Sequence, residues 1–150
     1  MNRRERTMER AAVLLTLATL AVLPVAVFSY QRNRVAHAAA GAQVIELYAS
    51  AQAGVWTQEP LLAWDSWLRH PRKRAIRVKA GVPVLLRLTS VDVHHSFSIP
   101  QLRVPPQDVT PGRWTEIRLE PQDPGSYTIL CYTVCGGKHA FMDAELQASR

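Results

Sequence analysis

An uncharged apolar run near the N-terminus divides the chain into two parts that must fold in different solvents. Residues 11–30 read AAVLLTLATLAVLPVAVFSY and contain no charged side chain. A helix of this length crosses about 30 Å of hydrocarbon. Pro24 lies inside the run, and a membrane helix tolerates an internal proline. We therefore predict a transmembrane helix over residues 11–30, preceded by a cytoplasmic segment, residues 1–10.

The charges that flank the run predict its orientation. Four arginines lie within residues 1–10, and the positive-inside rule places them in the cytoplasm and the remainder on the periplasmic side. A cleaved signal peptide is the alternative, because Ala36-His37-Ala38 resembles a cleavage site. The length of the run and the two arginines directly after it favour an uncleaved, single-pass anchor. Either interpretation predicts that the folded part is exported.

The rest of the chain follows a linker, residues 31–41, and has the pattern of short strands separated by Pro and Gly turns. In RWTEIRLE the charged residues 116, 118 and 120 share one face, and Ile117 and Leu119 share the other. Such alternation, with no βαβ rhythm, indicates an all-β sandwich or barrel, here over residues 42–150. The predicted strands are residues 43–49, 75–80, 84–91, 113–120, 126–131 and 141–148.

One segment, residues 57–74 (TQEPLLAWDSWLRHPRKR), does not fit this pattern and reads as an insertion. Leu61, Trp64 and Leu68 would share one side of a short helix. That helix would either pack on the sandwich or present aromatic residues to a partner. The basic residues that follow predict a solvated loop, contact with anionic membrane lipid, or docking of an acidic partner.

The chain has a net charge of +6, and the modest charge of +4 remains once residues 1–10, with their net charge of +2, are set aside. We find no basic stripe with interleaved aromatic residues of the kind that single-strand binders use. The sequence therefore predicts no nucleic-acid partner.

Soft metal ligands are concentrated in CYTVCGGKHAFM, residues 131–142, which contains both cysteines of the chain. A disulfide between Cys131 and Cys135 would close a very small loop and would leave His139 and Met142 unexplained. Tetrahedral zinc could use both cysteines, His139 and a distant histidine, but methionine is a poor zinc ligand. The upstream segment SVDVHHSFSIP offers such a histidine.

Copper accounts for all of these residues. Cys135, His139, Met142 and one upstream histidine form the ligand set of a mononuclear blue-copper site. Cys131 adds a second thiolate, and two thiolates can bridge two copper ions. One histidine then completes each copper, with Met142 axial to one and a backbone carbonyl between the cysteines bound to the other.

These residues resemble the CuA-bearing subunit II of haem-copper cytochrome c oxidases and its cupredoxin relatives. The resemblance implies a cupredoxin-like Greek-key β-sandwich that binds dinuclear copper. It implies bridging ligands Cys131 and Cys135, terminal ligands His95 and His139, axial Met142, and the backbone carbonyl of Thr133. It rests on D-V-H-H-S-F (92–97), P-G-R (111–113), P-G-S-Y (124–127) and C-Y-T-V-C-G-G-K-H-A-F-M (131–142).

The resemblance also implies a role. A family member is a non-catalytic electron-transfer subunit, which accepts electrons from cytochrome c or another donor and passes them to haem-copper subunit I for oxygen reduction. The alternatives are a free-standing, tethered cupredoxin that serves another acceptor, and a copper-delivery protein. A chaperone would favour exposed Met or Cys ligands, and methionine is otherwise scarce here.

Three departures from the family pattern carry predictions. Many members have a Glu at the position of Thr133 that also binds magnesium, so we expect no such magnesium site. The aromatic cluster that receives electrons is not visible near the first strand, and Trp64 or Trp67 is a hypothetical substitute. Because the chain is net positive, we expect a donor that is not strongly basic.

Overall fold

The N-terminal unit is one helix. The computed structural model describes residues 2–62, 64, 68 and 75–150, and divides the chain after Ala40. Helix α1, Arg3–Ala38, begins where the Asn2 amide donates to Glu5 Oε2 at 2.6 Å, in a capping box. It is long and apolar enough to cross a membrane, with a mean hydropathy of 2.5 over its most apolar window, although a signal sequence meets the same test.

The second unit, Gly41–Arg150, is rich in β-structure. Its described residues form nine strands: β1 (Gln43–Ser50), β2 (Val55–Thr57), β3 (Ile76–Lys79), β4 (Val84–Ser90), β5 (His95–Ile99), β6 (Val104–Val109), β7 (Thr115–Leu119), β8 (Gly125–Cys131) and β9 (Ala144–Ser149). One sheet has the order β2-β1-β4-β7, and the other β3-β9-β8-β5-β6. The pairs β1–β4 and β3–β9 are parallel, and the other strand pairs are antiparallel.

Each of the six predicted strand segments overlaps one strand, and the predicted all-β sandwich is confirmed. The sequence pattern missed β2, β5 and β6. Strand β2 is only three residues long, and all five residues of β5 are buried, so neither alternates. Strand β6 contains Pro105 and Pro106, and it tolerates them because it is an edge strand that pairs with β5 alone.

The core lies between the inner faces of the two sheets. Leu47, Leu86 and Leu88 come from one sheet, and Phe97, Ile129 and Leu146 come from the other; all six are fully buried. The alternation predicted for residues 113–120 is confirmed in β7, because Ile117 and Leu119 pack against this cluster while Glu116 and Arg118 are exposed. At roughly 25 cal/mol per Å² of buried apolar area, this core is the main stabilising term of the sandwich.

The segment 57–74 is described only in part. Its first residue, Thr57, is the last residue of β2, so the segment follows β2 and not β1. Leu61 is 3% exposed, whereas Trp64 is 68% exposed, so these two side chains do not share one environment. Leu68 is 75% exposed, whereas Trp67 and the basic cluster lie outside the described residues.

Candidate metal centre

Strand pairing brings the first two candidate ligands together. His95 is the first residue of β5, and Cys131 is the last residue of β8, at the end of the predicted strand 126–131. The two strands are antiparallel, with Phe97 opposite Cys131, and the Tyr132 amide donates to the Ser96 carbonyl at 2.9 Å. The Nδ1 atom of His95 consequently lies 3.9 Å from the Sγ atom of Cys131.

A turn after β8 adds the second pair of ligands. Gly136 has a φ of 145°, in the region that favours glycine, and the chain then enters a 3-10 turn, His139–Phe141. The Nδ1 atom of His139 lies 3.6 Å from the Sγ atom of Cys135. Each sulphur therefore has one imidazole nitrogen beside it.

The two thiols are free and close together. A ligand nitrogen of His95 and the sulphurs of Cys131 and Cys135 all lie within 4.8 Å of one another. The Cys131 thiol donates to the carbonyl oxygen of Thr133 at 3.3 Å, so this oxygen also borders the cluster. Met142 is buried in the core cluster against which both cysteines pack.

The protonation of the Cys135 thiol depends on a cation. Burial, and then the neighbouring Cys131 sulphur, raises the pKa of the Cys135 thiol to about 11. At neutral pH Cys135 therefore keeps its proton unless a bound cation stabilises the thiolate. Two sulphurs and two imidazoles suit a soft or borderline metal such as copper or zinc and do not suit a hard cation.

Asp92 was not identified as a site residue from the sequence, although it lies in the D-V-H-H-S-F motif. Its carboxylate contacts the Nε2 atom of His95 at 3.0 Å. An ionised carboxylate only accepts hydrogen bonds, so Nε2 carries the hydrogen and Nδ1 keeps its lone pair for the metal. Burial alone would raise the pKa of Asp92, but hydrogen bonds from His95 and from the Gln52 and Val93 amides outweigh it and lower the pKa to about 2.

The adjacent histidine has a different environment. His94 is 47% exposed, and its Nε2 atom lies 2.9 Å from the Asp108 carboxylate. His95 is fully buried and belongs to the sulphur cluster, which His94 does not join among the described residues.

The comparisons with known proteins agree with one another. A family model described as the periplasmic domain of cytochrome c oxidase subunit II matches residues 61–149, more than half of the chain. Cytochrome c oxidase subunit 2 of Synechocystis sp. is 41% identical over 66 residues, which are 44% of this chain and 20% of that protein. An alternative cytochrome c oxidase subunit 2 of Bradyrhizobium diazoefficiens is 35% identical over 71 residues, 47% of this chain and 25% of that protein. The chain thus matches less than a third of the length of these relatives.

Solved structures show the same fold. The periplasmic domain of subunit II of cytochrome oxidase of Bradyrhizobium japonicum matches with a TM-score of 0.54 and 22% identity, over 72% of this chain and 84% of that one. A chain of a heme-copper terminal oxidase dimer matches with a TM-score of 0.55 and 18% identity, over 98% of this chain and 100% of that one. These likenesses confirm the cupredoxin-like β-sandwich and the preceding apolar helix.

Proposed function

Because the chain belongs to the cytochrome c oxidase subunit II family, whose periplasmic-domain model covers most of its β-sandwich, we propose that it carries a dinuclear CuA centre and transfers electrons one at a time. One observation supports this above all others. Each of two adjacent cysteine sulphurs has its own imidazole Nδ1 beside it, at 3.9 Å and 3.6 Å. A mononuclear site needs only one thiolate, and the second pair would have no role in it.

The proposed ligands are those that the sequence predicts: Cys131, Cys135, His95, His139, Met142 and the carbonyl of Thr133. When bound, the copper pair would supply a one-electron carrier that changes its geometry little between oxidation states. The protein supplies two thiolates, the His139 imidazole, and a His95 imidazole whose tautomer is set by Asp92. It also excludes water on one side, because His95 is fully buried and Met142 is 2% exposed.

The partners belong to the proposal as well. We propose that the sandwich lies on the periplasmic side of the membrane, anchored by α1 beside membrane lipid, and passes electrons to a haem-copper subunit I. Apolar side chains surround the ligands at the surface, with Tyr132 56%, Val134 82% and Phe141 61% exposed. Such a rim is suited to desolvated contact with a redox partner. Because residues 11–150 carry a net charge of +4, we expect the donor to be acidic or largely apolar.

A reductive titration tests the electron-transfer proposal. The full chain in detergent is loaded with copper and titrated anaerobically with a reductant of known concentration. One electron per two coppers is expected, because the pair shares a single electron. A requirement for two electrons, or a single bound copper, would contradict the dinuclear assignment and favour a mononuclear carrier or a copper-delivery protein.

A copurification experiment tests the partner. If the proposal holds, solubilisation of native membranes in mild detergent and capture of this chain will yield a haem-containing subunit in fixed stoichiometry. Capture of the copper-loaded chain without haem would favour the free-standing tethered carrier.

A further inference from the structure

The segment Ser50–Trp56 comprises the turn between β1 and β2 with the strand residues beside it, and we call it the turn. It contacts the ligand loop, which we define as residues 132–142. The turn is closed by its own hydrogen bonds: the Gly54 amide donates to the Ser50 carbonyl at 2.8 Å, and the Ala53 amide donates to Ser50 Oγ at 3.1 Å. It is therefore a defined structure in itself and can act as a support for a neighbouring segment.

Gly54 is the point of closest approach. Its φ is 68°, and a Cβ atom added there would lie 3.0 Å from the Lys138 Cβ, 3.2 Å from the Lys138 carbonyl oxygen and 3.4 Å from the Phe141 Cβ. Backbone at 3.2 Å cannot yield in the way that a flexible side chain can. Only glycine lets the turn and the ligand loop approach this closely. A second contact joins Ala51 and Gly136, where an added Cβ would lie 3.7 Å from the Ala51 Cβ.

Trp56 links the turn to the end of the ligand loop. Its Nε1–H donates to the Met142 carbonyl at 3.2 Å in a buried hydrogen bond. The indole is 1% exposed and meets the His95 ring edge to face, with 5.7 Å between the ring centroids, and Phe97 similarly at 5.3 Å. One side chain thus contacts the candidate axial-ligand residue and a candidate terminal ligand.

The other half of the turn reaches His95 through Asp92. The Gln52 amide donates to Asp92 Oδ2 at 3.0 Å, and Ser50 Oγ donates to the same oxygen at 3.1 Å. Asp92 Oδ1 accepts from His95 Nε2 at 3.0 Å. The turn therefore holds both the strand-borne histidine and the ligand loop, which are far apart in sequence.

We propose that the turn Ser50–Trp56 is the template that positions the metal ligands, with Gly54 and Trp56 as positioning residues. The proposal rests on the proposed copper centre for its metal, but its structural part concerns the protein alone. Supporting contacts behind metal ligands typically change affinity by about 10- to 100-fold when they are removed.

The test uses two variants with matched controls in the full chain. Gly54→Ala is compared with Gly112→Ala, because Gly112 has a φ of 74° but nothing within 4 Å of an added Cβ. Both variants introduce the same backbone strain, and only the first clashes with the ligand loop. Trp56→Phe removes the donor and keeps an aromatic ring; its control is Trp114→Phe, on a residue that is 41% exposed.

Two readouts are measured. In metal-free protein we expect amide hydrogen exchange at His139, Phe141 and Met142 to be about tenfold faster in both test variants than in the controls. Their amides donate hydrogen bonds to the Gly136, Lys138 and His139 carbonyls, and these bonds define the ligand-loop conformation. In loaded protein we expect copper loss to a chelator to be about 10- to 100-fold faster.

The outcomes separate the two proposals. If Gly54→Ala does not fold, Trp56→Phe decides alone. Exchange and copper loss within about twofold of the controls would overturn the template role while the copper centre stands. If the wild-type chain binds no copper pair, the proposed function fails, and amide exchange in the metal-free protein still decides the template role.

Discussion

The two ends of the candidate centre are built differently, although each offers one imidazole to one sulphur. His95 is fully buried, stands on a strand in the larger sheet and is hydrogen-bonded to Asp92. His139 is partly exposed and lies in a 3-10 turn. Long-range strand pairing therefore fixes one end, while a short local segment fixes the other. The strand end provides rigidity, and the loop end provides access for metal and for redox partners.

The largest expected effect comes from removing the bridge between the two ends. Cys135→Ser leaves one thiolate, so we predict loss of one of the two coppers and of the shared-electron spectrum. Copper analysis with optical spectroscopy checks this. The matched variant is Cys131→Ser, which should lose the pair in the same way. Retention of two coppers by either variant would show that the sulphurs do not both bridge.

Chemical rescue should distinguish the ends. His139→Gly opens a partly exposed site. Added imidazole should therefore occupy the position of the missing ligand and restore the wild-type optical spectrum. His95→Gly leaves a cavity closed to solvent and should resist rescue. It should also destabilise the fold by about 2–5 kcal/mol, as large-to-small core substitutions do. Equal rescue at both positions would contradict the proposed difference in access.

Asp92 should stabilise the buried end of the candidate centre, because its carboxylate is bonded to His95. Asp92→Asn keeps the shape but weakens a charge-assisted network, so we predict a loss of about 1–2 kcal/mol in the unfolding free energy of metal-free protein at pH 7. The pKa of Asp92 is lowered from 3.8 to about 2, so its contribution is complete above pH 3.8 and is lost as the pH falls toward 2. Denaturant unfolding between pH 2 and 7 should show the wild-type and variant curves converging at the acidic end. A constant difference across that range would contradict the assignment.

The smallest effect is expected for His94. Its side chain bonds Asp108 at the surface and does not join the sulphur cluster. His94→Asn should therefore leave copper content unchanged and change copper affinity by less than about twofold, within the usual range for surface substitutions. Copper competition against a chelator measures this. A tenfold loss would mean that His94, and not His95, completes the centre.

The sequence predicted the components of the site better than it predicted their support. The ligand types and spacings are visible in residues 131–142, and the alternating strands predict the sandwich. Strand β5 was missed because it is buried on both faces and does not alternate. Gly54 and Trp56 were missed because their role arises from contacts with residues that are distant in sequence. The Trp56–Met142 hydrogen bond, for example, spans 86 positions, and no local pattern records it.

The most direct test of the central claim is electron paramagnetic resonance of the copper-loaded full chain, with copper quantitation on the same sample. Two coppers per chain and a hyperfine pattern from one electron shared equally between two nuclei are the predicted result. One copper per chain with a mononuclear hyperfine pattern would contradict the dinuclear centre.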